Sequence, residues 1–343
     1  MKNLYHINNP FVSDSHDLQR AYRTAIFRAM CKVDGPAWGQ IDVERRHHEK
    51  SVEYITGNPK QIGLNASLTA ILNALSDIDD VDPEKLKYIS NTIHNMTVLP
   101  KRHTVTSLNP SNIPPDLHHD ADHLISTLQI SFKEKKVDTD LAKTILYGVS
   151  GTRESFNPLD ILLLTFEAPW RGTLYTLLAI LQPGPRKGGW VNTLEQEAET
   201  YPSPTSLAIA YESLRLYPPV RRISRGHIAI DIEAIQRDKK YWGDDALLFK
   251  LERFLSTSGD GGIRTEMIGE GAAWIPFALG GMRCPSSKGL SVRTLVVVGG
   301  ILRGLARELD GDGDRDGDGD GDWEYSGNRE GMNGMNGLDE VRC

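Results

Sequence analysis

The side chains in this sequence best placed for chemistry gather at three places, the most specific being a run around a single cysteine, WIPFALGGMRCPSSKG, residues 274 to 289. Cys284 follows the aromatic Phe277 and the glycines Gly280 and Gly281, with Arg283 directly before it. Such a loop has two readings: a small buried apolar side chain, or a thiolate held in a tight backbone bend as a metal ligand. The second place is YESLRLYPPV, where Glu212 and Arg215 share one helix face and Pro218 with Pro219 stops the helix. Alone, such a pair is most often a solvated ion pair. Arg253, further on in DIEAIQRDKKYWGDDALLFKLERFL, could complete a network in which one carboxylate bridges two guanidinium groups. The third is Glu167, beside Pro169 and Arg171 in an otherwise apolar stretch. A carboxyl in that setting is expected to have a raised pKa and to suit proton delivery.

The elements that must position these groups are mostly helical. HDLQRAYRTAIFRAMCKV, LNASLTAILNALSDI and the run from Pro83 through EKLKYISNTIHNM carry apolar residues at helical spacing. Residues 99 to 116 read as a long surface connection rich in proline, asparagine and serine. Asn157 to Pro185 is the longest apolar candidate, apolar nearly all round. Pro169 is expected to kink it, or to divide it into two helices meeting at a turn. Past Pro219 come short extended pieces, HIAIDIEAI among them, and then a helix at LSVRTLVVVGGILRGLARELD. The fold class is therefore mainly α with a small β component.

A chain of 343 residues with 39% apolar and 25% charged residues has the balance of a globular protein. Its three cysteines, Cys31, Cys284 and Cys343, are odd in number and far apart, which argues against a disulfide framework and for a reducing compartment. No segment approaches the length of a signal or membrane-spanning stretch, so no transmembrane segment is expected. Of the net charge of −7, residues 310 to 322 hold seven aspartates against one arginine, which leaves −1 for the remainder. There is no clustered basic excess of the kind nucleic-acid binding needs. The Asp-Gly-rich residues 310 to 343 are expected to be disordered, leaving residues 1 to 309 as the folded domain. His119 and His123, with Asp120 and Asp122 beside them in LHHDADHL, have a spacing that could bind zinc on a helix, though a solvated helix start is the more ordinary reading.

Taken in order, the central FEAPWRGT, ESLRLYPPV, RDKKYWGDDALLFKLERF and PFALGGMRCP resemble the cytochrome P450 family over about residues 157 to 305. The FEAPWR wording looks most like filamentous-fungal members that tailor secondary metabolites. The resemblance implies a cytochrome P450-like fold, incomplete because the chain is shorter than the family's usual length and looks truncated at its N-terminus. It implies haem as cofactor with Cys284 as the axial thiolate, Phe277 and Gly280 completing the pattern FxxGxxxC, and Arg225 and Arg283 as candidate partners of the haem propionates. Met282 stands where the family usually has that second arginine. Glu167 and Ala168 occupy the place of the family's proton-relaying acid and threonine, so the hydroxyl is missing, with Thr165 and Thr173 nearby in sequence but off that position. The implied reaction is insertion of one oxygen atom from O2 into a small apolar organic substrate, with an NADPH-dependent flavin reductase as electron donor. A non-catalytic remnant, or a haem-thiolate isomerase or dehydratase, is the alternative. Arg283, Lys288, Arg293, Arg303 and Arg307 could dock an acidic donor domain or be ordinary surface charge. The implied location is the cytoplasm or the periphery of the endoplasmic reticulum membrane.

Overall fold

Leu159–Leu181 (α3) forms one helix with Pro169 inside it, so the division into two helices does not occur. The structure, a computed structural model, describes residues 59–76, 82–102, 123–126, 159–181, 203–225, 228–257, 263–265, 273–278, 283–284, 294–301 and 340–342, and isolated residues 17, 20, 24, 128, 190, 194 and 287. Leucines of good helix propensity run through α3, and burial stabilises it: Leu162, Phe166, Trp170 and Leu174 are fully enclosed. Pro59–Ser76 (α1) packs along it. A Cβ on Gly63 would lie 3.3 Å from Leu174 Cβ and 3.6 Å from the Trp170 carbonyl, so the missing side chain is what lets the two helices approach.

Pro83–Arg102 (α2) starts where the sequence signals a start. Asp82 accepts from the Lys85 amide at 3.0 Å, and Pro83 sits in the first turn, where no backbone donor is needed. Leu86, Ile89, Ile93 and Met96 form its buried stripe. A polar seam ties it to α1: Asn65 Oδ1 accepts from Gln61 and from Ser90, both at 2.8 Å, and Asn91 donates to Gln61 Oε1 at 2.8 Å. The helix runs to Arg102, so residues 99–102, read from sequence as connection, are helical.

Pro204–Leu216 (α4) begins at Ser203, whose side chain accepts from the Ser206 amide, with Pro204 in the first turn. It leads into an antiparallel hairpin, Arg222–Arg225 (β1) with Ile228–Asp231 (β2), in which Ile223 faces Ile230. The extended reading of HIAIDIEAI is right only as far as Asp231. There the Asp231 carboxylate accepts from the Ala234 amide and starts a short helix, Ile232–Gln236 (α5), followed by Lys239–Trp242 (α6). A 3-10 turn, Leu251–Phe254, enters a second hairpin, Leu255–Thr257 (β3) with Ile263–Thr265 (β4). Glu340–Arg342 (β5) pairs in parallel with β1, giving the sheet order β2-β1-β5. The free edge of β1 supplies the backbone partners for these three residues. Residues 310–339 lie outside the described residues.

An apolar core joins α4 to the helical residues 294–301 (α7) through Ala208, Leu214, Val298 and Ile301. Its floor is aromatic: Trp274 meets Tyr211 and Phe277 edge-on, with ring centroids at 5.2 and 5.9 Å, and Phe254 touches Trp274 and Trp242. Among the described residues no helix is long and apolar enough to cross a membrane.

Candidate active site

At the centre of the core lies an ion pair with no solvent exposure on either side chain, Glu212 and Arg215. Three residues apart on α4, they meet in a fork: Arg215 Nε donates to Glu212 Oε2 at 2.6 Å and Nη2 to Oε1 at 2.8 Å. The remaining donors of Arg215 reach the carbonyls of Gln236 at 2.8 Å, Ala246 at 2.7 Å and Leu248 at 3.2 Å. Glu212 also accepts from the Lys250 amide at 2.8 Å. Burial pushes the Glu212 carboxyl above its ordinary range, with the Arg215 fork and the Lys250 amide pulling the other way.

Arg253 comes to this pair differently from the bridged arrangement expected. Its Nε lies 3.6 Å from Glu212 Oε1, while Nη2 donates to Asp245 Oδ1 at 2.6 Å and to the Asp245 carbonyl at 2.8 Å, and Nη1 to the Trp242 carbonyl. The closer carboxylate partner of Arg253 is thus Asp245, met through a single nitrogen, and its carboxyl is held down to about 2 by Lys250 and Arg253. The ring of Trp242 stacks beneath both guanidinium groups, 4.7 Å from Arg215 and 6.0 Å from Arg253.

The cysteine turn rests on this assembly. Cys284 is a free, half-buried thiol packed against the apolar core, and its amide donates to the Phe277 carbonyl at 2.8 Å, closing the loop between the two. Ser287 then donates to the Cys284 carbonyl at 3.2 Å. Phe277 is buried against Trp274, whose indole donates to the Tyr211 carbonyl of α4 at 3.1 Å. The bend is made at Ala278, which has φ of 57°, a left-handed conformation that costs a residue with a Cβ about 1 kcal/mol or more. Ala278→Gly is therefore expected to raise stability by about 0.5 to 1 kcal/mol, read as a higher urea midpoint at unchanged slope. A lower midpoint would show that the bend is not strained.

Glu167, on α3, is engaged on both carboxylate oxygens. Thr97 Oγ1 donates to its Oε1 at 2.6 Å, Arg171 Nη2 to its Oε2 at 2.8 Å, and His94 Nδ1 lies 3.4 Å from Oε1. Burial alone would raise its pKa, but the His94 hydrogen bond, the Arg171 charge and the Thr97 hydroxyl outweigh burial and lower it. The expectation of a raised pKa is overturned, because the apolar look of α3 hides two polar residues reaching in from α2. Arg171 also donates to the Pro219 carbonyl at 3.4 Å, tying α3 to the turn after α4. His94, edge-on to Trp170 at 5.0 Å, has its pKa lowered by burial, partly offset by Glu167.

Both shifts make the fold acid-sensitive. As pH falls through the ordinary histidine value of 6.5, the unfolded chain binds a proton that folded His94 resists. As it falls through the ordinary carboxyl value of 4.5, the unfolded chain protonates Glu167 before the folded chain does, and stability is lost again. In urea titrations across pH, His94→Gln should flatten the slope between about pH 7 and 5, and Glu167→Gln the slope below about pH 4.5. Slopes unchanged from the native chain would contradict these assignments.

Other sequence candidates are placed less fully. Arg225 ends β1, opposite Ile228, and Arg283 is half-buried next to Cys284 in the chain. Ala168 follows Glu167 on α3 and is partly exposed, whereas Thr165 and Thr173 are buried. His123 is exposed and meets Tyr88 edge-on at 5.7 Å. Gly280, Lys288, Arg293, Arg303, Arg307 and His119 lie outside the described residues. Sequence reasoning missed Asp245, Trp242, His94 and Thr97. A signal for the last two existed: Ser90, His94 and Thr97 form a polar stripe beside the apolar stripe of α2.

Against known proteins, the chain matches no protein-family model. It is similar to cytochrome P450 CYP749A22 of Panax ginseng, 37% identical over 92 residues, covering 22% of this chain and 17% of that protein. Cytochrome P450 72A552 of Barbarea vulgaris is 42% identical over 62 residues, 13% of this chain and 12% of that protein. Beta-amyrin 24-hydroxylase of Glycine max is 32% identical over 120 residues, 30% of this chain and 23% of that protein. The chain thus spans less than a quarter of the length of each of these relatives, which are plant proteins. A zebrafish cytochrome P450 solved with progesterone superposes with a TM-score of 0.56 at 16% identity, covering 85% of this chain and 76% of that chain. The fold is that of the cytochromes P450, mostly helical with a small sheet.

Proposed function

We propose that this chain is a haem-thiolate monooxygenase of the cytochrome P450 family that inserts one oxygen atom from O2 into a small apolar organic substrate. The observation that carries the reading is the Phe277–Cys284 turn, closed at 2.8 Å by the Cys284 amide and set against the helix that buries Glu212 and Arg215. The donor chemistry fits: one half-buried thiol suffices for an iron whose other ligands come from a macrocycle. Haem held by Cys284 would supply oxygen activation, which thiolate electron donation favours. Phe277 would keep water from the sulfur, Gly280 would permit the bend, and Arg225 and Arg283 would pair with the propionates. NADPH would provide the electrons through a flavin reductase, whose acidic donor domain the cations from Arg283 to Arg307 would attract by charge. A role in secondary-metabolite biosynthesis of filamentous-fungal type rests on the FEAPWR wording alone. We place the protein in the cytoplasm or at the periphery of the endoplasmic reticulum membrane.

One observation favours a second reading. Both Glu167 oxygens are taken by Thr97 and Arg171, its pKa is lowered, and Ala168 has no hydroxyl. An acid so held is a poor proton donor, whereas a haem-thiolate isomerase or dehydratase needs no such relay. Turnover of apolar substrates with NADPH, a flavin reductase and isotopically labelled dioxygen separates the two. The monooxygenase reading expects label in the product, with Ala168→Thr raising product per NADPH at least about twofold by adding a hydroxyl. Product formed without NADPH and without label would establish the isomerase or dehydratase.

A further inference from the structure

Three carbonyls at the end of α4 have no partner within that helix, those of Leu214, Arg215 and Leu216, and all three are satisfied by two consecutive residues far along the chain. Gln236 Nε2 donates to Leu214 and to Arg215, both at 3.0 Å, and Arg237 donates to Leu216. The other end of the same Gln236 amide, Oε1, accepts from the Ile275 amide at 2.7 Å. Gln236 is fully buried, and its own carbonyl receives Arg215 Nη1 at 2.8 Å. Ile275 in turn accepts, through its carbonyl, the Ala278 amide at 3.0 Å, at the left-handed bend that leads to Cys284.

We propose that Gln236 is the positioning residue for Cys284: one side-chain amide fixes the cysteine turn to the end of the helix that carries Glu212 and Arg215. Only an uncharged amide serves both sides, because the helix end presents acceptors and the turn presents a donor. Leucine at this position leaves two carbonyls and one amide buried without partners. Ionised glutamate keeps the bond to Ile275 but sets an acceptor against two acceptors. The proposal rests on the reading of Cys284 as the functional thiol, yet it is tested on the thiol itself.

The test is the rate at which an aryl disulfide reagent modifies Cys284 in the full chain without haem, with Cys31→Ser and Cys343→Ser in the background. Gln236→Leu is expected to raise that rate about tenfold, the factor that corresponds to leaving buried backbone groups unpaired. Gln236→Glu should raise it several-fold and decides the matter if the leucine variant does not fold. Leu86→Ala, on α2 and away from the turn, lowers overall stability and should leave the rate within about twofold of native. A native rate in Gln236→Glu, or an equal rise in Leu86→Ala, overturns the proposal. In haem-loaded protein the Gln236 variants should also lose part of the thiolate-type band of the reduced carbon monoxide complex. If the native chain gives no such band, the haem reading fails, and the thiol rates still judge Gln236.

Discussion

Glu212→Ala is expected to cost about 3 to 5 kcal/mol, the largest effect of any single change considered, because it strands Arg215 uncompensated in a fully buried site. The arginine keeps its carbonyl partners at Gln236, Ala246 and Leu248, but these are dipoles and do not neutralise its charge. The Lys250 amide loses its acceptor as well. Most of a domain's net stability is of this size, so the variant should yield little soluble protein, and what folds should unfold at a much lower urea concentration. Arg253→Ala should cost less, since its side chain is partly exposed and its main carboxylate partner, Asp245, can turn to water. A loss below about 1 kcal/mol in Glu212→Ala would mean that the pair does not hold the core together.

Cys284→Ser is expected to abolish the thiolate-type spectrum of the haem-loaded chain while changing its stability by less than about 1 kcal/mol, since the side chain is only half-buried and nearly isosteric. Cys31→Ser and Cys343→Ser should leave the spectrum as it is. That contrast separates loss of a ligand from loss of the fold. A spectrum that survives in Cys284→Ser would remove the cysteine from the site.

Much of the helical frame could be read from sequence because its signals are local. Pro83 marks a helix start, and the leucine run from Leu159 announces a buried helix before any packing is known. The three-residue spacing of Glu212 and Arg215 likewise puts them on one face. What was not legible depends on chain that returns from far away. Asp245 accepts from Nη2 of Arg253, and no spacing rule links Asp245 to that task. The charge state of Glu167 turned on His94 and Thr97, some seventy residues earlier, so a helix that looks apolar by itself is polar at one point in its packed surroundings. Gln236 stands in a charged stretch with no motif around it, and its role appears only when α4 and the cysteine turn meet at one amide. The extended reading past Pro219 failed at Asp231 because a capping aspartate can end a strand and begin a helix within one residue.

The most direct measurement is the absorption difference spectrum of the purified chain, reconstituted with haem, reduced and exposed to carbon monoxide. A thiolate-type Soret band, present in the native chain and absent from Cys284→Ser, is the predicted result. Failure to take up haem, or a band of the kind given by a nitrogen-ligated iron, would contradict the assignment of Cys284 and with it the proposed chemistry.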